Sequence, residues 1–309
     1  MKNYLNKRIL VTGGAGFIGS NLVDKLIDGG HKVVIIDNLS TGKKENINPA
    51  AKFVLADITN FDEIKPWFTD VDWVFHTAAL ARVQPSIEDP ITFNEVNVNG
   101  TLNVLLAARE ANVNKVIYSS SSSVYGNQTK MPLKEEMAPQ PISPYALQKY
   151  ISELYGRLFS EIYHLPTVSL RYFNIYGKRQ PIEGAYALVI GIFTRQKLKG
   201  EPLTIFGDGE QRRDYTNVED VVRANILAAQ SEKVGRVEVI NIGSGKNYSV
   251  NDLAKIFGGE NIHLPPKIEP RETLADNFLA KKLLGWEPKV NLLDWLEQYK
   301  KDNETVFFR

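Results

Sequence analysis

The chain contains no cysteine. Disulfides, thiolate metal sites and cysteine nucleophiles are therefore excluded, and the composition suits a reducing compartment, so a cytoplasmic location is expected. Histidine is nearly as scarce. His31, His76, His164 and His263 are the only four in 309 residues, and none stands at ligand spacing from another, so no metal site is expected. A charge excess is missing too. Thirty-seven basic residues face thirty-six acidic ones, a net charge of +1. That balance supplies no long-range attraction to nucleic acid or to an anionic membrane, although a small phosphate-bearing ligand needs only a local basic cluster. No apolar run approaches the roughly 20 residues that span a bilayer, and the opening Met1-Lys2-Asn3-Tyr4-Leu5-Asn6-Lys7-Arg8 is too polar for a signal peptide. What is present, 43% hydrophobic and 24% charged residues, is the ordinary balance of a globular protein. The length accommodates a nucleotide-binding domain with a smaller companion.

The first half alternates short β-branched runs with amphipathic stretches. Strands are expected at Arg8–Thr12, Lys32–Asp37, Lys52–Ala56, Asp72–His76 and Lys115–Ser121, then at Thr167–Tyr172 and Val237–Ile242. Their nearly continuous apolar character fits parallel strands covered on both faces. Helices are expected at Phe17–Asp28, Asn94–Ala111 and Pro144–Tyr163. Repeated β-α units imply an α/β fold with a Rossmann-like, doubly wound parallel sheet. Two stretches break the rhythm, one rich in Gly and Pro before Asp214 and one after Gly243. They read as a smaller, discontinuous α/β domain at residues 177–214 and 244–309, with 1–176 and 215–243 forming the dinucleotide-binding domain.

The first strand runs into Thr12-Gly13-Gly14-Ala15-Gly16-Phe17-Ile18-Gly19 and then a helix. Glycines allow the tight turn and let backbone N–H groups approach a pyrophosphate, and the helix N-terminus adds partial positive charge. The strand–turn–helix context is what this motif requires. The second strand ends in Asp37, which can accept both ribose hydroxyls and repels a 2′-phosphate. NAD is therefore expected over NADP, with Lys43 and Lys44 nearby to soften the preference. Asp57, at the end of the third strand, is placed to meet adenine; the plain alternative is a surface turn acid.

Tyr145-Ala146-Leu147-Gln148-Lys149 opens the third helix as a Tyr-x-x-x-Lys pair. Residues four apart share a face. A neighbouring ammonium and a cationic nicotinamide favour the phenolate, lowering the usual tyrosine pKa near 10. Such a phenolate is a workable general base. The run Ser119-Ser120-Ser121-Ser122-Ser123 ends a strand at the carboxyl edge of the sheet, where one hydroxyl can share the substrate's proton. Taken alone, a Tyr-x-x-x-Lys pair is an ordinary helix-surface pair, and the sheet and serine run before it are what make it catalytic.

These motifs, with Asp37–Gly42, Asp57-Ile58, His76–Ala79, Ser119–Gly126, Ser143–Lys149, Arg171–Gly177, Arg213-Asp214-Tyr215 and Leu283–Trp286, span essentially the whole chain. The chain resembles the extended short-chain dehydrogenases/reductases of the nucleotide-sugar epimerase and dehydratase group. It is most similar to UDP-glucose and UDP-N-acetylglucosamine 4-epimerases. The resemblance implies a homodimer that epimerises a UDP-hexose at C4 through a transient 4-keto sugar. It implies Tyr145 as acid/base, Lys149 on the ribose and the tyrosine's charge, and Ser121 as the serine of the site, with Ser122 and Ser123 as other registers. Gly13, Gly16, Phe17, Ile18, Gly19, Asp37, Asn38, Asp57, Ile58, Ala78, Ala79, Asn97, Ser119 and Tyr172 would contact NAD. Asn174 and Arg213 would hold the diphosphate and Phe206 would face the uracil.

Where relatives carry Arg-x-Gly-Asp/Glu, this chain has Pro266-Lys267-Ile268-Glu269-Pro270-Arg271, one residue short by that resemblance. That leaves Lys267 or Arg271 for the diphosphate. The residue two before the final Ala275-Asp276, here Thr273, borders the sugar's 2-position in the resembling epimerases. A tyrosine there restricts the site to plain hexoses, and a threonine leaves room for an N-acetyl group. Relatives that expel water or carbon dioxide carry an acid in the serine segment, and none stands here. Reductases commonly use NADPH, which Asp37 opposes. UDP-glucuronate 4-epimerases and other nucleotide-sugar reductases remain as alternatives. A non-catalytic NAD-binding regulator is the remote one, since such proteins commonly lose the tyrosine or lysine that this chain keeps.

Overall fold

The computed structural model describes residues 6–184, 187–267 and 269–302. The first five residues of the polar opening and Ile268 of the shortened stretch lie outside the described residues.

Seven parallel strands form the central sheet. They are β1 (Arg8–Thr12), β2 (Lys32–Asp37), β3 (Lys52–Leu55), β4 (Trp73–His76), β5 (Lys115–Ser121), β6 (Thr167–Tyr172) and β7 (Arg236–Ile242), in the order β7-β6-β5-β4-β1-β2-β3. Strand order reverses between β1 and β4, which opens a crevice at the carboxyl ends of the strands, where ligands bind in such sheets. Thr12, Asp37, His76, Ser121 and Tyr172 all stand at that edge.

Two apolar layers clothe the sheet. One packs Leu22, Val23 and Leu26 of the helix Phe17–Asp28, with Val221 and Ala228 of the helix Val218–Gln230, against Ile9, Val11, Ile35 and Phe75. The other packs Val104, Leu105 and Phe159 against Leu10, Val34, Val74 and Val116. A third cluster stands apart. It joins Ile190, Phe193, Leu203, Ile205, Tyr215, Leu253, Phe257 and Leu296. The tail divides between clusters, because Ala280, Leu284 and Trp286 pack into the first while Leu292 and Leu296 join the third. Trp286 is fully buried and its Nε1 donates to Asp220 O at 2.9 Å.

The helices Phe17–Asp28 and Pro144–Tyr163 lie where the sequence predicts them. The second has strong end signals: Ser143 Oγ accepts from Ala146 N, Pro144 opens the first turn, and His164 closes it in the left-handed region at φ 56°. The expected helix Asn94–Ala111 is not continuous. It divides into Pro90–Asn94, a π-turn at Glu95–Asn99 and an α-helix at Gly100–Glu110. Periodicity alone does not reveal such an inserted residue. The seventh strand starts one residue early and carries a register shift between Arg236 and Glu238, where Val237 takes φ 86°. No described helix is long and apolar enough to cross a membrane.

Candidate active site

The turn after β1 is glycine by necessity. Gly13 has φ +71°, and a Cβ there would lie 2.7 Å from Ala78 Cα; one on Gly19 would lie 2.2 Å from Gly13 O. The helix that follows has Gly16 at its N-cap with no side-chain cap, so its first N–H groups stay open for an anion. Phe17 and Ile18 turn their side chains toward the first core. Asp37 is buried, its Oδ2 accepting from Ala15 N at 3.0 Å and its Oδ1 from Leu39 N at 2.8 Å. Each oxygen keeps a further acceptor site. This donor set fits NAD: open N–H groups for a pyrophosphate, and a carboxylate with spare acceptors for two ribose hydroxyls. Asn38 donates to Asp57 at 2.7 Å. Burial raises the Asp57 pKa, but hydrogen bonds from Thr59 and Asn38 outweigh it and hold the carboxyl below the usual range. Ile58 is buried, and its Cδ1 lies 2.7 Å from where a Gly100 Cβ would be.

The loop after β4 forms the opposite wall. Ala78 N donates to Thr12 Oγ1 at 3.3 Å. Asn97, in the π-turn, spends its whole amide inside the protein. It accepts from Leu80 N at 2.9 Å and donates to Leu80 O at 2.9 Å and Gln148 Oε1 at 3.0 Å. Asn97 therefore braces the loop carrying Ala78 and Ala79 against the Pro144–Tyr163 helix. His76 is a neutral rivet, bonded to Thr12 and Thr101, its pKa pushed down to about 3 by burial and by Lys149.

Ser121, at the end of β5, is the serine whose hydroxyl acts on the Tyr145 phenol, holding its pKa down against the effect of burial. Ser121 Oγ also accepts from Ser123 N at 3.2 Å, and the Ser123 hydroxyl is buried without a partner. Lys149 is buried, donates to Ser119 O at 2.7 Å and lies 6.0 Å from the Tyr145 ring centre. Burial pulls its pKa down to about 7, against the opposing charge of Glu153. The expectation that Lys149 lowers the Tyr145 pKa needs correction. In the free protein burial raises that phenol, and it is Ser121 and the charge of Arg82 that pull it back. Desolvation disfavours both charged forms, so a half-neutral lysine gives little help until a cationic cofactor is bound.

Ser119 Oγ and Tyr172 OH are 3.1 Å apart, and Tyr172 also bonds Asn225, so both hydroxyls are satisfied beneath the site. Glu153, one turn beyond Lys149, is fully committed. Arg171 forks onto it at 2.9 and 2.7 Å, and Ser120 donates to it. The sequence reading assigned no task to Glu153, Arg82 or Ser86. The i, i+4 spacing from Lys149 was the available signal for Glu153.

On the far side of the crevice, Asn174 takes φ 31° and donates to Asp214 O at 3.1 Å and Thr273 Oγ1 at 3.4 Å. Thr273 is buried, and its Oγ1 also accepts from Asp214 N at 3.3 Å. The Asp214 carboxylate receives Ser244 N, Ser244 Oγ, Gly245 N and Ala275 N, which locks the Thr273 segment in place. Arg213 is nearly buried and pairs with Glu269 at 2.7 Å. Lys267 Nζ lies 3.6 Å from the centre of the Phe206 ring. Arg271 stands on the surface, its guanidinium forked onto Asp208 at 2.8 and 3.0 Å.

Residues 9–243 match the model of the NAD dependent epimerase/dehydratase family. The chain is 41% identical to a putative UDP-glucose 4-epimerase of Methanocaldococcus jannaschii, over 96% of this chain and 100% of that one. Among solved structures it is similar to UDP-glucose 4-epimerase with UDP-glucose from Thermotoga maritima, with TM-score 0.90, 42% identity, and 96% and 99% of the two chains covered. It is also similar to UDP-N-acetylglucosamine 4-epimerase from Methanobrevibacter ruminantium M1 in complex with UDP-N-acetylmuramic acid, with TM-score 0.91, 39% identity, and 97% and 99% covered. Sheet order, glycine turn and Tyr-x-x-x-Lys site thus agree with the match along three-quarters of the sequence, and this chain belongs to the NAD-dependent epimerase/dehydratase family.

Proposed function

We propose that this protein is an NAD-dependent UDP-sugar 4-epimerase, interconverting UDP-N-acetylglucosamine with UDP-N-acetylgalactosamine and UDP-glucose with UDP-galactose. The observation that carries the reading is the packing of the helix bearing Tyr145 and Lys149 against the serine end of β5, with Lys149 Nζ donating to Ser119 O at 2.7 Å and lying 6.0 Å from the Tyr145 ring centre. Tyr145 takes the proton of the sugar's 4-hydroxyl and returns it to the 4-keto oxygen, and Ser121 shares that proton. NAD, when bound, would supply the redox chemistry, taking the C4 hydrogen as hydride and returning it to the 4-keto sugar. The segment Ser121-Ser122-Ser123 offers hydroxyls and no carboxyl, so nothing there expels water or carbon dioxide.

Gly13, Gly16, Phe17, Ile18 and Gly19 would hold the pyrophosphate through their backbone. Asp37 and Asn38 take the adenosine ribose, and Asp57 and Ile58 flank adenine. Ala78, Ala79, Ser119, Tyr172 and Lys149 would frame the nicotinamide half, and Asn97 positions the loop that carries Ala78 and Ala79. Asn174 and Arg213 serve the UDP diphosphate and Phe206 the uracil. For the second cation, the position of Lys267 on Phe206 supports it over Arg271, which Asp208 engages. The third apolar cluster is the core of the substrate domain, and the first two are those of the NAD domain.

A second copy of the chain covers the outer face of the Pro144–Tyr163 helix. Leu147, Leu154, Leu158 and Ile162 are exposed there at helical spacing, beside an apolar hollow lined by Pro90, Ile91 and Ile151. An NAD-dependent, cysteine-free enzyme suits the cytoplasm. The test is incubation with UDP-glucose, UDP-N-acetylglucosamine and UDP-glucuronate without added NAD, followed by NMR of the products. We expect C4 epimers from cofactor that copurifies. Sugars left unchanged by protein loaded with NAD would overturn the reading.

A further inference from the structure

The helix Phe17–Asp28, whose first N–H groups stay open for an anion, is gripped from two sides. Asn21 Nδ2 donates to Phe17 O in the first turn at 2.8 Å and also to Lys178 O at 2.9 Å, 157 residues further along the chain. One turn on, Asp24 Oδ2 pairs with Arg179 Nη1 at 2.8 Å, and the two side chains are only 29% and 23% exposed. The other carboxylate oxygen, Asp24 Oδ1, accepts from Asn48 Nδ2 at 2.8 Å. A single carboxylate thus joins two segments that are far apart in sequence.

Each segment belongs to one wall of the crevice. Asn48 ends the loop that folds round Asp37. Lys43 N and Asn46 Nδ2 in that loop both donate to Ala15 O, at 3.0 and 3.1 Å, and a Cβ on Gly42 would lie 2.8 Å from Asp37 Oδ1. Lys178 and Arg179 form a tight turn, with Gln180 N donating to Gly177 O at 3.1 Å and Arg179 in the left-handed region at φ 66°. A residue with a side chain takes that backbone at a cost, and here it brings the guanidinium to Asp24. The turn follows closely on Asn174, which bonds Thr273 on the substrate side.

We propose that Asp24, with Asn21, Asn48 and Arg179, forms a clasp that keeps NAD on the protein from one turnover to the next. The inference rests on the NAD-dependent epimerase reading. In that reaction the hydride returns to the same sugar, so each turnover leaves the cofactor in its starting state. Sugars must come and go while the dinucleotide stays. The helix offers N–H groups to the pyrophosphate and the Asp37 loop offers acceptors to the ribose, so parting the two eases release of the dinucleotide. Asn48 on Asp24 resists that parting. Arg179 on Asp24, with Lys178 O on Asn21, ties the same helix to the substrate side. All four are positioning residues.

The experiment measures NAD release from the full chain, stripped and reloaded with NAD. Free NAD is trapped by excess alcohol dehydrogenase and ethanol and read by NADH absorbance. The variants are Asp24→Ala, Arg179→Ala, Asp24→Arg, Arg179→Asp and the last two combined. Asp24→Ala cuts both arms and should release NAD about 10–30-fold faster than wild type; Arg179→Ala cuts one and should release it about 3–10-fold faster. The combined charge swap should release NAD more slowly than either of its single changes, a rescue that a merely structural role would not give. Stripped wild type and Asp24→Ala should melt alike, which separates cofactor retention from the fold. Should Asp24→Ala fail to fold, Arg179→Ala and the swap carry the test. Release as slow as wild type in Arg179→Ala and in every Asp24→Ala that folds, or a swap no slower than its single changes, would overturn the clasp alone. A wild type that takes up no NAD would overturn the epimerase reading beneath it.

Discussion

Replacing Lys149 by methionine should stabilise the NAD-free protein in mild acid while abolishing its activity. The ammonium is buried, and its one hydrogen bond in the structure goes to Ser119 O. The nearest acid, Glu153, is already engaged by Arg171 and Ser120. Burial accordingly pulls the pKa from 10.5 to about 7. At ~1.4 kcal/mol per pKa unit, that drop corresponds to an upper figure of ~5 kcal/mol for keeping the charged form inside. The folded pKa of this base is depressed, so between pH 7 and 10.5 the unfolded chain binds the extra proton, and stability rises with pH across that window. Below pH 7 the full penalty is present; above 10.5 it is gone. Methionine keeps most of the volume and carries no charge. Urea unfolding of NAD-stripped wild type and Lys149→Met should therefore differ by about 3–5 kcal/mol at pH 6 in favour of the variant, shrinking toward zero near pH 10.5. A difference that does not change with pH, or a variant less stable than wild type at pH 6, would refute the burial argument.

Tyr145→Phe deletes one proton carrier and little volume. Its kcat should fall by about 10²–10⁴ while UDP-sugar binding by calorimetry is retained, and wild-type turnover would remove Tyr145 from the mechanism. Thr273→Tyr fills the space beside Asn174. It should depress kcat/KM for UDP-N-acetylglucosamine about tenfold or more beyond its effect on UDP-glucose, and equal losses would remove Thr273 as a gate. Leu154→Lys with Leu158→Glu should convert a dimer to a monomer by light scattering, with little change in melting of the subunit; a wild type that is already monomeric at assay concentration would refute the pairing.

The sheet was legible because buried parallel strands read as unbroken apolar runs, and the helices Phe17–Asp28 and Pro144–Tyr163 because each is amphipathic. Sequence spacing placed the Tyr145–Lys149 pair and the serine run at one sheet edge, and in the structure Lys149 of that pair donates to Ser119 O at 2.7 Å. Three features were not legible. The π-turn at Glu95–Asn99 leaves the apolar period almost unchanged. Arg82 takes φ 114° in a loop whose neighbours Leu80 and Ser86 bond Asn97 and Tyr145, residues distant in sequence. Protonation balance depends on burial, and a Tyr-x-x-x-Lys pattern does not reveal that both groups are desolvated. The cations of the shortened stretch needed coordinates as well, since only these show Lys267 on Phe206 and Arg271 on Asp208.

The π-turn has a consequence for how this chain tolerates change in length. Each residue removed from a helix rotates everything beyond it by about 100° and draws it back by about 1.5 Å. Deleting any one of Glu95–Asn99 would restore a regular helix locally and improve its backbone bonding. It would also swing Asn97 away from Leu80 and Gln148, or turn Gly100 off the side chain of Ile58 that it now admits. The extra residue acts as a phase adjuster between two docking faces. Substitutions at single positions of the turn touch one face, whereas a deletion puts the two faces out of step, so this turn constrains length more strictly than side-chain identity.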